Sequence, residues 1–225
     1  MLFRSKEPEL WYAETGTVKK ASFKTAEGRT TVPLQLEPWG TVFVVFRKPT
    51  SLASRTVPEV AETNIATISG PWNLSFQPGR GAPASVTLDE LSDWSHNQDA
   101  GVKYFSGVGT YTRTLQASPD WFKNGARYWI DLGDVRNLAA VTVNGKEMGE
   151  AWHAPYLVDI TSALKPGANE ITIKVANAWV NRLIGDEQPG ATKLAFADVK
   201  PYKADSPLLP SGLIGPVTLI RKDTH

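Results

Sequence analysis

Apolar residues in this chain recur at every second position, and long runs at helical spacing are absent, which restricts the chain to extended strands. In Glu170-Ile171-Thr172-Ile173-Lys174-Val175 the branched apolar side chains face one way and the polar ones the other; Thr31-Val32-Pro33-Leu34-Gln35-Leu36 and Val141-Thr142-Val143 repeat the pattern. Turn chemistry falls between such runs. Asn144-Gly145 suits a two-residue type I′ hairpin, Ala26-Glu27-Gly28 a longer hairpin, and Lys165-Pro166-Gly167-Ala168-Asn169 a loop before the next strand. Only single helical turns are expected, around 88–91, 119–123 and 161–164. Many short strands with turns between them predict an all-β chain, an antiparallel β-sandwich.

The chain divides once. The strand at Thr41-Val42-Phe43-Val44-Val45-Phe46-Arg47 gives way to Lys48-Pro49-Thr50-Ser51-Leu52-Ala53-Ser54-Arg55, which has linker composition. Residues 1–56 then form a short β segment of about four strands, marginal alone, that is the tail of a larger β-sandwich or an appendage to one. Residues 57–225 are the main β domain, with ample length to bury a core.

Charge and composition remove several function classes. A net charge of +1 with interspersed signs leaves no field to hold nucleic acid or an anionic membrane. The start, Met1-Leu2-Phe3-Arg4-Ser5-Lys6, is not a signal peptide, and no run approaches the roughly 20 apolar residues that cross a bilayer, so the chain reads as soluble with its compartment unassigned. Zero cysteine excludes disulfides and thiolate chemistry, and three histidines (His96, His153, His225) are too few and scattered to predict a metal site. Eight Trp and six Tyr exceed what a core of this size requires, so some of those rings are expected at a wet binding surface.

Three constellations carry chemistry. In Glu150-Ala151-Trp152-His153-Ala154-Pro155-Tyr156, a proline-stiffened loop between two strands holds three rings within five residues. Trp152, His153 and Tyr156 would give a saccharide the aromatic platform that its C–H face needs, at the rim of a sandwich; alternatively Trp152 plugs the core and His153 satisfies a carbonyl. In Asn177-Ala178-Trp179-Val180-Asn181-Arg182-Leu183-Ile184-Gly185-Asp186-Glu187-Gln188, at the end of a strand, Trp179 adds a ring while Asn181 and Arg182 add the amide and guanidinium donors that vicinal hydroxyls favour. The competing reading is a structural Arg182–Asp186 pair. The acidic loop Asp89-Glu90-Leu91-Ser92-Asp93-Trp94-Ser95-His96-Asn97-Gln98-Asp99 has oxygen ligands but no EF-hand spacing, and reads first as a solvated loop with Trp94 anchoring it.

The order of several stretches resembles a known family. Gly70-Pro71-Trp72, Tyr104-Phe105-Ser106-Gly107-Val108-Gly109-Thr110-Tyr111-Thr112-Arg113, Asp131-Leu132-Gly133, Val141-Thr142-Val143-Asn144-Gly145 and Asp159-Ile160-Thr161 are similar to the galactose-binding-like jelly roll of family 2 glycoside hydrolases. Asn181-Arg182-Leu183-Ile184-Gly185-Asp186 and the stretch from Ser206 to Val217 resemble the C-terminal region of bacterial α-L-rhamnosidase-like enzymes, and Leu36-Glu37-Pro38-Trp39-Gly40-Thr41-Val42-Phe43-Val44-Val45-Phe46 is similar to the β segment that precedes that module. The resemblance implies that residues 57–225 are a galactose-binding-like jelly roll, a carbohydrate-binding module of, or derived from, such a glycoside hydrolase. Its implied partners are a carbohydrate ligand and either an upstream catalytic domain or further copies of itself. It implies no cofactor, although related jelly rolls often carry a structural calcium, and relatives are often periplasmic or secreted. The alternative is a small stand-alone glycosidase, rhamnosidase- or β-galactosidase-like, using Asp186 and Glu187; such chemistry needs two carboxyls about 5 to 10 Å apart with one held protonated.

Overall fold

The computed structural model describes residues 6–38 and 40–223; Trp39 and His225 lie outside them. Two units are present, residues 1–60 and 61–225. Unit 1 holds β1 (Lys6–Tyr12), β2 (Thr17–Lys20), β3 (Phe23–Ala26), β4 (Arg29–Thr31), β5 (Phe43–Pro49) and β6 (Ser54–Arg55) in two antiparallel three-stranded sheets, ordered β2-β1-β5 and β4-β3-β6. Glu27 and Gly28 both take positive φ, and Ala26 pairs with Arg29, so this hairpin has the tight two-residue turn rather than the longer loop expected. The strand expected over Thr31–Leu36 ends at Thr31: Pro33 has no N–H to donate to a ladder, and residues 32–37 take no regular structure. Glu9, almost fully buried, accepts from Lys48 Nζ (2.7 Å), Arg47 Nε (2.8 Å) and Trp11 Nε1 (3.2 Å), while the Arg47 guanidinium lies 4.8 Å over the Trp11 ring. Hydrogen bonds from Lys48 and Arg47 hold the Glu9 carboxyl down at about 2, against an ordinary 4.5.

Unit 2 is the sandwich. Its strands are β7 (Ala61–Thr67), β8 (Trp72–Phe76), β9 (Ser85–Leu88), β10 (Val108–Ala117), β11 (Arg127–Asp131), β12 (Asp134–Arg136), β13 (Leu138–Val143), β14 (Lys146–Ala151), β15 (Leu157–Asp159), β16 (Gly167–Ala176), β17 (Gly212–Gly215) and β18 (Thr218–Asp223). Six form one sheet, β14-β13-β16-β10-β8-β9, and four the facing one, β15-β11-β18-β7; β12 and β17 make a short ladder. Every one of these pairings is antiparallel. Asn144 and Gly145 both have positive φ and close the β13–β14 hairpin as a type I′ turn requires.

Alternation decides the layers. Ile171, Ile173 and Val175 of β16, Val141 and Val143 of β13, and Trp72, Leu74 and Phe76 of β8 are buried, against Ile130, Val158 and Leu219 of the other sheet. The outer face instead carries Thr142, Thr172, Thr112 and Asn73 as one cross-strand row. Arg113 shares the inner face with Tyr111, as its spacing predicts, but no carboxylate pairs with it among the described residues; Nη1 donates to the Pro71 carbonyl (3.3 Å) and the guanidinium lies 5.8 Å over Trp72. Trp94 is wedged into the same core, 2% exposed, stacked on Tyr111 (6.2 Å, 14°) and edge-on to Phe76 and Phe105. It fits because Gly109 and Gly212 flank it: a Cβ on Gly109 would sit 2.6 Å from two carbons of the indole, and one on Gly212 2.5 Å from it. No helix among the described residues is long and apolar enough to cross a membrane.

Two outcomes follow from this packing. Gly109→Ala overpacks the Trp94 slot and should lower stability by about 1–3 kcal/mol, read as an earlier urea midpoint with an unchanged slope. Because the folded Glu9 pKa is depressed, its contribution is complete above the ordinary 4.5 and is lost as pH falls from there toward about 2. The difference in Tm between the native chain and Glu9→Gln should therefore shrink over that window and be constant above it.

Candidate functional site

Register brings one end of the six-stranded sheet together. Ala151 at the end of β14 faces Ala139, Leu138 at the start of β13 faces Ala176 at the end of β16, Ala176 also faces Val108 at the start of β10, and Gly109 faces Phe76 at the end of β8. The segments 152–156, 177–179, 104–107 and 77–84, with Asn137, therefore emerge along one rim. Side chains stitch Asn137 and the segments 104–107 and 177–179 into a shelf. Ala178 N–H donates to Asn137 Oδ1 (3.1 Å), Gly107 N–H to Asn177 Oδ1 (2.9 Å), Asn177 Nδ2 to the Phe105 carbonyl (2.8 Å) and the Ser106 hydroxyl to the Ala178 carbonyl (2.8 Å).

Trp152 stands out from this shelf, 64% exposed, and Trp179 is 50% exposed. Their loops leave strands two places apart in the sheet, about 10 Å at strand spacing. His153 is partly buried and sets its ring edge-on to Trp152 (centroids 4.6 Å); its Nδ1 is 2.8 Å from the Ala154 carbonyl. Tyr156 packs against the core and its carbonyl accepts from Leu132 N–H (3.0 Å), so this ring braces the loop from beneath.

The second constellation departs from expectation. Residues 177–188 were read as a polar strand end, but Val180–Asp186 is a helix, α2, whose interior residues Asn181, Arg182, Ile184, Gly185 and Asp186 are buried. Val180, Leu183 and Ile184 already hold the helical spacing in the sequence. Asn181 is 1% exposed and fully engaged: Nδ2 donates to the Leu209 carbonyl (2.7 Å) and Ser211 Oγ (2.8 Å), and Oδ1 accepts from Leu209 N–H (2.8 Å). Arg182 Nε pairs with Asp186 Oδ1 at 2.9 Å one helical turn on, both nearly buried, and Asp186 also accepts from the N–H groups of Leu194 and Ala195. Asn181, expected to meet a ligand, instead spends its amide on Leu209 and Ser211 inside the protein, while Arg182 Nε is held by Asp186, the structural pairing that was the alternative reading. Gly185 permits this packing, because a Cβ there would lie 2.5 Å from both Arg182 Nη2 and Tyr104 Cβ.

Asp186 and Glu187 do share a cavity of about 240 Å³, lined also by Lys193, Phe196, Val199 and Tyr202. They do not make an acid–base pair. Asp186 is neutralised by Arg182, and Glu187 binds Lys193 Nζ (3.1 Å) and Lys200 Nζ (3.6 Å), the hydrogen bond from Lys193 chiefly holding its carboxyl below the usual carboxylate range. A glycosidase acid needs the opposite shift. Both carboxylates expected as a catalytic pair are engaged by cations inside the protein, Asp186 by Arg182 and Glu187 by two lysines.

The acidic loop has other employment. Asp93 Oδ1 accepts from Ser95 N–H (2.8 Å) and Ser211 N–H (2.9 Å), and Asp99 Oδ1 caps α1 (Ala100–Lys103) by accepting from Gly101 and Val102 N–H. Among the described residues no three His, Asp or Glu side chains are grouped to hold a metal ion.

Sequence reasoning missed Arg80. It sits in Gly79-Arg80-Gly81, both glycines at positive φ, with its guanidinium 4.7 Å over the Trp179 ring. The signal was present, since paired glycines around one residue mark a fixed turn. Every large apolar side chain exposed in unit 2 among the described residues belongs to this rim or to the segment after α2: Leu138, Trp152, Trp179, Leu194, Phe196, Val199 and Leu209.

With the geometry in place, its relatives can be stated. A family described as the glycosyl hydrolase 2 galactose-binding domain-like group matches residues 94–204. A candidate beta-glucuronidase of Formosa agariphila is 34% identical over 176 residues, which cover 68% of this chain and 15% of that protein. A rhamnosidase structure from Novosphingobium sp. PP1Y superposes with a TM-score of 0.89 at 48% identity, over 96% of this chain and 20% of that one. The chain thus spans a fifth or less of the length of these two relatives. Unit 2 carries the galactose-binding-like jelly-roll domain of family 2-type glycoside hydrolases.

Proposed function

We propose that unit 2 is a carbohydrate-binding module that works as part of, or is derived from, an α-L-rhamnosidase-like glycoside hydrolase, and that it takes its saccharide at the Trp152–Trp179 rim. The observation that carries this reading is the exposure of two indoles, 64% and 50%, Trp179 beside a hydrogen-bonded shelf and Trp152 on a loop tied down at Tyr156. Leaving such surface in water has a hydrophobic cost that a folded domain avoids unless the surface is used. A pyranose offers one face of C–H bonds to an indole while its hydroxyls point to the sides, and a preformed shelf loses little entropy on binding. Two rings carried by loops from strands about 10 Å apart suit a short oligosaccharide rather than a single sugar. His153, edge-on to Trp152, restrains the ring that does the stacking.

Catalysis in this reading belongs to a separate catalytic domain acting beside the module. The stand-alone glycosidase has no observation in its favour, because Asp186 and Glu187 are tied to Arg182, Lys193 and Lys200. The test starts with a glycan array on the purified chain, followed by calorimetric titration of its hits. Trp152→Ala should weaken binding by about 1–3 kcal/mol, the loss of one stacking platform, with Tm unchanged because the ring is mostly solvated. An unaltered titration removes Trp152 from the site.

A further inference from the structure

We propose that the rim selects acidic saccharides, with Arg80 as the group that recognises a sugar carboxylate; this deepens the carbohydrate-binding reading and rests on it. Of the six arginines in unit 2, Arg127, Arg136, Arg182 and Arg221 pair with Asp159, Asp134, Asp186 and Asp223, and Arg113 donates to the Pro71 carbonyl. Arg80 alone, among the described residues, has neither an ion pair nor a hydrogen bond; its one partner is the Trp179 ring. Stacking does not use a guanidinium's hydrogen bonds. All five N–H groups lie in its plane, so a guanidinium parked on an indole keeps its donor edge available for a bidentate acceptor such as carboxylate.

The position is built rather than incidental. Gly79 (φ +75°) and Gly81 (φ +86°) bracket Arg80 in backbone that other residues rarely adopt. Gly81 is seated against the α2 region, where a Cβ would lie 2.6 Å from Leu194 Cδ1 and 3.4 Å from Arg182 Nη1. Gly101 in turn leaves no room for a side chain against the Gly81 carbonyl. Arg182, the nearest other cation to this turn, is already neutralised by Asp186, so Arg80 contributes the uncompensated charge. Lys103, over the Tyr104 ring at 5.7 Å, is a second rim cation without an ion pair among the described residues. Asp99 lies near the Gly81 carbonyl, but its Oδ1 is engaged by the Gly101 and Val102 N–H groups that it caps; Glu150 precedes Trp152 by two residues at the other end. An acidic oligosaccharide would set its carboxylate at the Arg80–Trp179 end and a neutral ring face over Trp152.

The experiment is calorimetric titration of the full chain with trisaccharides of galacturonate, glucuronate and mannuronate and with the methyl ester of each, which keeps the ring and removes only the charge. At low ionic strength at least one acid should bind about tenfold or more tighter than its ester, a charge-assisted pair in a solvated site. Arg80→Gln should abolish that difference between acid and ester; Arg80→Lys should restore part of it, and raised salt should reduce it in the native chain. Equal binding of acid and ester would overturn acid selectivity while leaving the rim as a saccharide site. A preference for acid that survives Arg80→Gln would overturn the assignment to Arg80. Failure of the acids, the esters and the array hits alike would remove the rim reading and this proposal with it.

Discussion

The rim depends on one buried ion pair. Arg182 and Asp186 are each nearly inaccessible, and two charges withdrawn from water cost several kcal/mol apiece, a cost that mutual attraction offsets only when the remaining polar atoms are also satisfied. On the carboxylate side they are: Asp186 takes further N–H groups from Leu194 and Ala195, tying the end of α2 to the segment that follows. The pair adds little net stability against an apolar substitute, but its geometry is demanding. It fixes the rotation of α2, which sets Trp179 at the helix start in the open and seats the Gly79-Arg80-Gly81 turn against Leu194.

Which tryptophans serve the core and which serve the surface is settled by glycine rather than by hydrophobicity. Trp94 and Trp152 both sit in polar loops, and both are flanked by histidine within two residues. Trp94 turns inward because Gly109 and Gly212 leave a slot the width of an indole, and Asp93 pins the entry to that slot by accepting from Ser211 N–H. No such slot receives Trp152. Its loop is braced instead by Tyr156 packing beneath it, so the indole remains where solvent or a ligand meets it.

This explains why the sandwich was legible in the sequence and the site only half so. Alternation in β16 and β13 and the Asn144-Gly145 turn report local physics, and local physics suffices where a strand has one wet and one dry face. The misread strand at 32–36 was announced by Pro33, whose missing donor outweighs the alternating pattern around it. Asn181 and Arg182 were misplaced for a different reason. Their polarity suggested a surface, whereas their partners, Leu209, Ser211 and Asp186, are brought to them by tertiary folding, and a polar residue with distant partners looks the same in sequence as one awaiting a ligand. Arg80 was overlooked for the converse reason, since nothing local shows that an arginine will find no acceptor.

The carboxylates complete the argument about what this domain does. Asp93 and Asp99 cap turns, Asp159 serves Thr161 and Arg127, Asp186 holds α2, and Glu187 bridges two lysines. Of these, Asp159 and Glu187 are held below the usual carboxylate range by the donors around them, whereas the acid of a glycosidase is kept protonated. These carboxylates are engaged by internal donors, while Trp152 and Trp179 remain open on the rim and the Arg80 guanidinium lies over the Trp179 ring.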